Sequence, residues 1–540
     1  MRHSGACLLL LGLVWVVYGS TLNHEFVFDD WSLVVENPVV RQSPAQMFEV
    51  LSRETNEANG ITYRPVRMAS YMIDHRIAGG FDPGVFHAAN LIYHAAAAMM
   101  VYALAWLTIG SFSGALLAAA FFAVHPLGSE AVAYVSGRRD LLSGLFCLTA
   151  LVAWWRLCQP GFSRGGVLAR VALGIGMVFA AALALGAKEN AAVFPALAAL
   201  LYIVMARRQR GERGGSASQW AALVGVALVL CVVVNVFYID RIFEAVARIQ
   251  GEPLAPQPAF TLRVVGTYAL RAVWPFYLSA DYTLPAWDLP VSAIDAPAVL
   301  AGLFLFVVLL LGVRLMWRGR IAGAGMCWFF VALLPVAQIV PYREIVAEHN
   351  AYLPLAGLAL VVGDFGGSWA TRRPGWTLAI AFVLIVGLAV FTAQRTEDWQ
   401  SDETLWAATL RDVPQSARAR HNLAIALARR GQVERARQLL VEAQELLPDD
   451  LKVVLTRASV EERAGNQAAA LGFARRAVEI QPSPENLTFL GWAYVAAGRP
   501  TRAAESFERA LSKNPRYSEA RDGLQTLRDR NKRQNIGGRR

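Results

Sequence analysis

Residues 166–210 read GVLARVALGIGMVFAAALALGAKENAAVFPALAALLYIVMARRQR. Two apolar runs, 167–187 and 190–206, flank one polar break, Lys188-Glu189, and the second run ends in Arg207-Arg208-Gln209-Arg210. Crossing the hydrocarbon of a bilayer takes about 17–25 mostly apolar residues. Basic loops stay in the cytoplasm. The stretch therefore reads as two membrane helices whose shared turn, Lys188-Glu189, lies on the non-cytoplasmic side.

The same alternation extends both ways. Further spans are expected near 5–20, 90–108, 111–124, 141–157, 220–238, 297–316, 321–340, 351–368 and 376–393, giving about eleven in all. The 111–124 run is short and borrows from its neighbours. No small-residue cleavage site follows the first run, which is read as a retained helix. The 540 residues are 55% hydrophobic and only 17% charged, against about 25% charged in soluble domains. That excludes a single soluble globule and a disordered chain. The net charge of +10 sits beside apolar runs, where it sets orientation; no nucleic-acid partner is expected. Cys7, Cys147, Cys158, Cys231 and Cys327 are scattered without disulfide or zinc spacing.

Three basic clusters, 207–213, 314–320 and 372–373, fit one cytoplasmic face if the N-terminus is also cytoplasmic and 258–281 does not cross. That segment carries Arg263 and Arg271 in mid-run, which suits an amphipathic helix in the interface better than a span. The C-terminal region is then non-cytoplasmic.

After Gln394 the composition turns charged, and a repeat begins. Gly431, Ala436, Ala443 and Pro448 recur 34 residues on as Gly465, Ala470, Ala477 and Pro482, and 33 further on as Gly498, Ala503, Ala510 and Pro515. This is tetratricopeptide (TPR) spacing, in which helix pairs stack because neither helix can bury its apolar face alone. Repeats are expected at 417–448, 451–482 and 484–515, within a domain spanning 416–532 that closes on a capping helix. A linker with a degenerate half repeat (Trp406, Thr409, Pro414) occupies 395–415, and 533–540 is a basic disordered tail. Such an array could dock a peptide in its groove or serve as a spacer.

The ionisable residues of the membrane part, 1–394, collect in the loops on one side. The first outer loop, 21–89, holds Asp29, Asp30, Arg64 and His87, with His94 just beyond. Later loops supply His125, Glu130, Arg138, Asp140, Lys188, Glu189, Arg343, Glu348 and His349. Charge beside a membrane is expensive and marks function. A paired carboxylate can act as a base toward a hydroxyl or hold a divalent cation (Mg²⁺ or Mn²⁺), while arginine, lysine and histidine can hold a phosphate leaving group. Two carboxylates are too few to specify a metal. Singly, each feature has a plainer reading: Asp29-Asp30 as a loop cap, His87 and His94 as core histidines, Arg138-Arg139-Asp140 as a helix anchor, Lys188-Glu189 as a local ion pair. Together they suit sugar transfer from a lipid phosphate.

The stretches FVFDDWSLVVENPVV (26–40), YRPVRMASYMID (63–74), FHAANLIYH (86–94), FAVHPLGSEAVAYVSGRRDLLSGLF (122–146), AKEN (187–190) and AEHNAYLP (347–354), with the repeat tail, resemble the TMTC-type (transmembrane and tetratricopeptide-repeat) O-mannosyltransferases of the GT-C superfamily and their bacterial relatives. The resemblance implies an all-α fold, a polytopic GT-C-type transmembrane helix bundle followed by a TPR α-solenoid. It also implies transfer of mannose from a polyprenyl-phosphate donor to Ser/Thr hydroxyls of a protein or peptide. Asp29 and Asp30 match the family's acidic pair, so one is the candidate base. Arg138, Lys188, Arg343, His349 and His125 are candidate contacts to the lipid phosphate, and Glu130, Asp140, Glu189, Glu348, His87 and Arg64 candidate supports. The Ala/Arg-rich composition suggests a bacterial inner membrane with periplasmic repeats, or a lumenal array if the chain is eukaryotic. A lipid or cell-wall glycosyltransferase, an O-antigen-type ligase and a non-catalytic envelope scaffold are the competing readings.

Overall fold

Apolar side chains that cannot find water-free partners inside a bundle can face lipid, and much of this fold is arranged that way. The computed structural model describes residues 2–42, 64–159, 166–209, 258–282, 296–339 and 344–537. Its α-helices are α1 (Arg2–Tyr18), α2 (Pro65–Ala78), α3 (Pro83–Ile109), α4 (Phe112–Val124), α5 (Ser129–Ala133), α6 (Arg138–Cys158), α7 (Gly166–Ala187), α8 (Phe194–Arg208), α9 (Pro258–Val273), α10 (Ala296–Trp317), α11 (Ile321–Leu333), α12 (Tyr352–Ala370) and α13 (Pro374–Glu397). The tail continues with α14 (Asp402–Asp412), α15 (Ala417–Arg429), α16 (Val433–Leu446), α17 (Leu451–Arg463), α18 (Gln467–Ile480), α19 (Pro484–Ala496), α20 (Pro500–Lys513) and α21 (Ser518–Gly537). No strand occurs among the described residues.

Eight helical segments among the described residues are long and apolar enough to cross a membrane, nine with a bent pair. The exposed faces of α10 and α13 carry Leu300, Phe304, Phe306, Trp376, Phe382 and Val383. The chain is an integral membrane protein. The expected span at 220–238 lies outside the described residues. The bent pair is α4 with the segment Pro126–Ala133, turned by 54°, because Pro126 cannot continue the hydrogen-bond ladder. The 321–340 run is also interrupted, at Leu334-Pro335, so its apolar helix extends only over Ile321–Val336. Helix α9 covers 16 residues, about 24 Å at 1.5 Å per residue and short of a roughly 30 Å core.

Small residues bring the helices together, as is usual without a hydrophobic drive between them. A Cβ on Gly114 of α4 would sit 2.6 Å from the Gly363 carbonyl oxygen of α12, and one on Gly363 the same distance from that of Gly114. That contact fixes α12 against α4. The ends of α1, α4, α7 and α13 thereby meet the beginnings of α3, α6 and α12, and the site residues lie on these ends.

The chain divides into two compact units, with the boundary between Leu405 and Trp406, inside α14. In the second unit, the repeat frame holds the pairs α15/α16, α17/α18 and α19/α20. Ser416, Asp450 and Ser483 cap the first helix of each pair through their side-chain oxygens. Gly431, Gly465 and Gly498 follow those helices at φ +80°, +79° and +68°, the left-handed stop that glycine adopts most cheaply. The final helix runs to Gly537, so 533–537, expected as disordered tail, continue the helix.

Candidate functional site

The first acidic pair divides its work between two unlike carboxylates. After α1 the chain makes a short 3₁₀ turn and then reaches Phe28, whose φ is +53°. A non-glycine residue held there costs on the order of 1–3 kcal/mol and persists only where its surroundings over-determine it. Asp30 is wholly buried. Its Oδ1 accepts from Ser136 N (2.8 Å) and Ser136 Oγ (2.6 Å), and its Oδ2 from Val27 N (3.2 Å). Burial pushes its carboxyl up to about 7, against those hydrogen bonds and with help from neighbouring Asp29. Asp30 thus clamps the loop that follows α1 to the turn at Ser136, just before α6. Asp29 is only half-buried, the more exposed carboxylate of the pair.

The second loop begins at the α4 bend. His125 Nδ1 accepts from Leu127 N (3.2 Å), leaving Nε2–H to donate to the Ala272 carbonyl (3.1 Å). Its role is to seat α9, and the expectation that it touches a donor phosphate is corrected by that double engagement. Glu130 reaches the late loop: Oε1 pairs with His349 Nδ1 (2.8 Å) and Oε2 accepts from His349 N (2.9 Å). Arg139 Nη2 then donates to His349 Nε2 (2.9 Å). A guanidinium only donates, so Nε2 must accept and the ring proton sits on Nδ1, facing Glu130. A Cβ on Gly137 would lie 2.7 Å from the carbonyl oxygens of Glu130 and Ala131; only glycine allows the turn that delivers Arg138 and Arg139.

Those two arginines differ completely. Arg138 is fully buried. Its Nε donates to Asn90 Oδ1 (2.8 Å), Nη2 to the Phe86 carbonyl (2.7 Å) and Nη1 to Ser70 Oγ (3.3 Å), and it forms an ion pair with Asp74. Its guanidinium also lies 4.8 Å from the Tyr71 ring centroid. Four of its five N–H donors are spent inside the buried core, so Arg138 reads as a structural anchor and not as the expected contact to a lipid phosphate.

Lys188, on the turn between α7 and α8, donates from Nζ to Asp140 Oδ1 and Asn350 Oδ1, both at 2.7 Å. Burial lowers its pKa; Asp140 opposes that, while the nearby charges of Arg139 and Arg64 add to it. Arg64 holds Glu189 with two parallel bonds, Nη2 to Oε1 at 2.7 Å and Nε to Oε2 at 3.1 Å. Buried Arg67 lies within the fields of Arg139 and Glu189, and burial lowers its pKa too. Arg64, Arg67, Arg139 and Lys188 thus form one electrostatic group around Asp140 and Glu189.

Glu348 faces elsewhere. Its Oε1 accepts from Ser279 N (2.6 Å) and Tyr282 Oη (2.8 Å), and Oε2 meets Arg395 Nη2 at 3.5 Å. It pins the stretch after α9. His87 is buried edge-to-face against His24, ring centroids 5.9 Å apart. His94 bridges Tyr352 Oη (2.8 Å) and the Ala123 carbonyl (3.0 Å), a core histidine. Arg343 lies outside the described residues. No group of three or more His, Cys, Asp or Glu side chains able to hold a metal occurs among the described residues.

Several participants were missed by sequence reasoning. Asn350 was within reach, since AEHN and AKEN share the polar pattern that meets at Lys188. Ser136 and Arg395 carry no signal of their own. Tyr134 stacks between Phe28 (6.1 Å) and Trp399 (5.2 Å). Asp402 accepts from Phe28 N at 2.7 Å and from Trp31 Nε1 at 3.2 Å.

No family model matches the chain. Solved structures similar to it include a thermophilic TPR protein of Thermus thermophilus, at 20% identity, covering 41% of this chain and 98% of that one with a TM-score of 0.22. Among curated proteins, human protein O-mannosyl-transferase TMTC3 is 25% identical over 82% of this chain and 51% of its own length. Mouse TMTC4 is 25% identical over 78% and 64%, and Caenorhabditis elegans protein O-mannosyl-transferase F38B6.6 is 23% identical over 82% and 62%. The chain spans between half and two thirds of the length of these relatives. Over about four-fifths of its own length, its curated relatives are the TMTC-family protein O-mannosyl-transferases.

Proposed function

We propose that this chain is an integral-membrane protein O-glycosyltransferase that moves a sugar, mannose first among candidates, from a polyprenyl-phosphate donor to Ser/Thr hydroxyls on the non-cytoplasmic face. One observation carries the reading. A half-buried carboxylate on a strained turn, Asp29, shares the loop end of the bundle with four cations, Arg64, Arg67, Arg139 and Lys188, grouped around two carboxylates, Asp140 and Glu189. The excess positive charge suits an anionic phosphate, and the carboxylate suits a hydroxyl.

The acceptor hydroxyl hydrogen-bonds to Asp29 and attacks the anomeric carbon from the face opposite the phosphate. Its proton passes to Asp29 as the carbon–oxygen bond to the phosphate breaks, so configuration inverts. Arg139 and Lys188 meet the charge that develops on the leaving phosphate. His349 and Glu130 hold Arg139, and Asp140 with Asn350 holds Lys188. Membrane placement of the site brings the lipid-borne donor to it, and the repeats offer a surface for a protein acceptor.

The testing experiment gives purified protein in detergent a short polyprenyl-phosphate [¹⁴C]mannose and envelope proteins. Label in protein that disappears with Asp29→Asn supports the reading. Label that persists in that variant removes the base, and silence across a panel of lipid-phosphate sugars favours the scaffold.

A further inference from the structure

We infer that Asp402 is a positioning residue for the base, holding the backbone turn that presents Asp29. This rests on the reading of Asp29 given above. Phe28 keeps a left-handed φ of +53° immediately before Asp29, a conformation that a bulky side chain adopts only when its surroundings over-determine it. The segment Trp399–Asp402 supplies much of that determination from 374 residues away. Asp402 Oδ1 takes the Phe28 N–H at 2.7 Å, and Oδ2 takes Trp31 Nε1 at 3.2 Å. One carboxylate therefore grips the residues on both sides of Asp29-Asp30. The Gln400 carbonyl accepts from Glu25 N at 2.9 Å. Trp399 backs Tyr134, on which the Phe28 ring stacks.

Asp30 is tied independently, through Ser136 and Val27. Loss of the Asp402 grip thus leaves Asp30 clamped while Phe28 relaxes, and the direction of the Asp29 carboxylate changes with it. A base displaced by about 1 Å loses on the order of 100-fold in rate. Substrate binding is not expected to use this hold, because Asp402 acts on the Phe28 backbone and the Trp31 indole.

The test is steady-state kinetics of the full chain in detergent, with polyprenyl-phosphate mannose as donor and a Ser/Thr-rich peptide as acceptor. Asp402→Ala is expected to lower kcat about 10- to 100-fold, with both KM values within about twofold of the parent. Asp402→Asn keeps an oxygen for the Phe28 N–H and is expected to regain most of that kcat, which a merely structural role does not require. Parental kcat in Asp402→Ala, a loss carried by KM, or an Asn variant no better than Ala would overturn the inference. So would failure of both variants to fold, which assigns Asp402 to stability. Asp29→Asn runs beside them: if it retains transfer, the base reading falls and this inference with it. If it is inactive while Asp402→Ala matches the parent, this inference alone falls.

Discussion

Arg139 Nη2 lies 2.9 Å from His349 Nε2, across 210 residues of chain, and Glu130 holds the other face of that imidazole at 2.8 Å. The three side chains act as a jig for one cation. Arg139→Lys keeps the charge but loses the fixed fork, and the two residues are not interchangeable at such a site. The expected result is a fall in kcat/KM of about 10- to 100-fold for Arg139→Lys and a similar fall for His349→Ala. The double variant should lose little more than either single one, as residues that act as a unit are non-additive.

Arg138 should behave differently from its neighbour. Arg138→Met leaves Asp74 buried without its cation, and breaking a buried pair costs about 3–5 kcal/mol. The expected phenotype is a lowered melting temperature in detergent, with the donor KM of the surviving protein unchanged. Replacing both members, as Arg138→Met with Asp74→Leu, should recover part of the lost stability. A raised donor KM at parental stability would instead return Arg138 to the phosphate.

Asp30 gives the stability of the loops it joins a pH dependence. Its folded carboxyl sits up at about 7, above the ordinary 3.8, because burial disfavours the charge. Between those values the folded state holds a proton that the unfolded chain has released. Stability is therefore greatest at the acid end of the window and falls as pH rises toward 7, by up to about 1.4 kcal/mol per unit. Melting temperature measured from pH 5 to 7 should decline, and Asp30→Asn should flatten that slope. An unchanged slope in the variant would assign the dependence to another group.

The repeats can be disturbed alone. A side chain at Gly491 would run into the Phe507 ring, and overpacking costs about 1–3 kcal/mol. Gly491→Val should increase hydrogen exchange in α19 and α20 while leaving α4 and α12 protected as before.

Much of the fold was legible because its signals are local. Apolar run length marks the membrane helices, and a glycine every 33 or 34 residues marks each left-handed stop in the tail. The exception is where proline intervenes, at Pro335, which shortens a span that composition alone would carry to 340. The site was legible as a set of residue types on one side of the bundle. Which of two neighbours does what was not. Asp29 and Asp30, or Arg138 and Arg139, are alike in sequence, and their roles separate only through distant partners such as Ser136, Asp74 and His349. Asp402 gave no signal, because its value lies in two hydrogen bonds to a turn made by the other end of the chain.

The most direct measurement is transfer of labelled mannose from polyprenyl-phosphate mannose to protein by purified parent and Asp29→Asn chains, matched for melting temperature. The expected result is label in the parent and a loss of about 1000-fold or more in the variant, a scale set by removal of a general base. Equal labelling by the two folded proteins would contradict the assignment of Asp29 as the base.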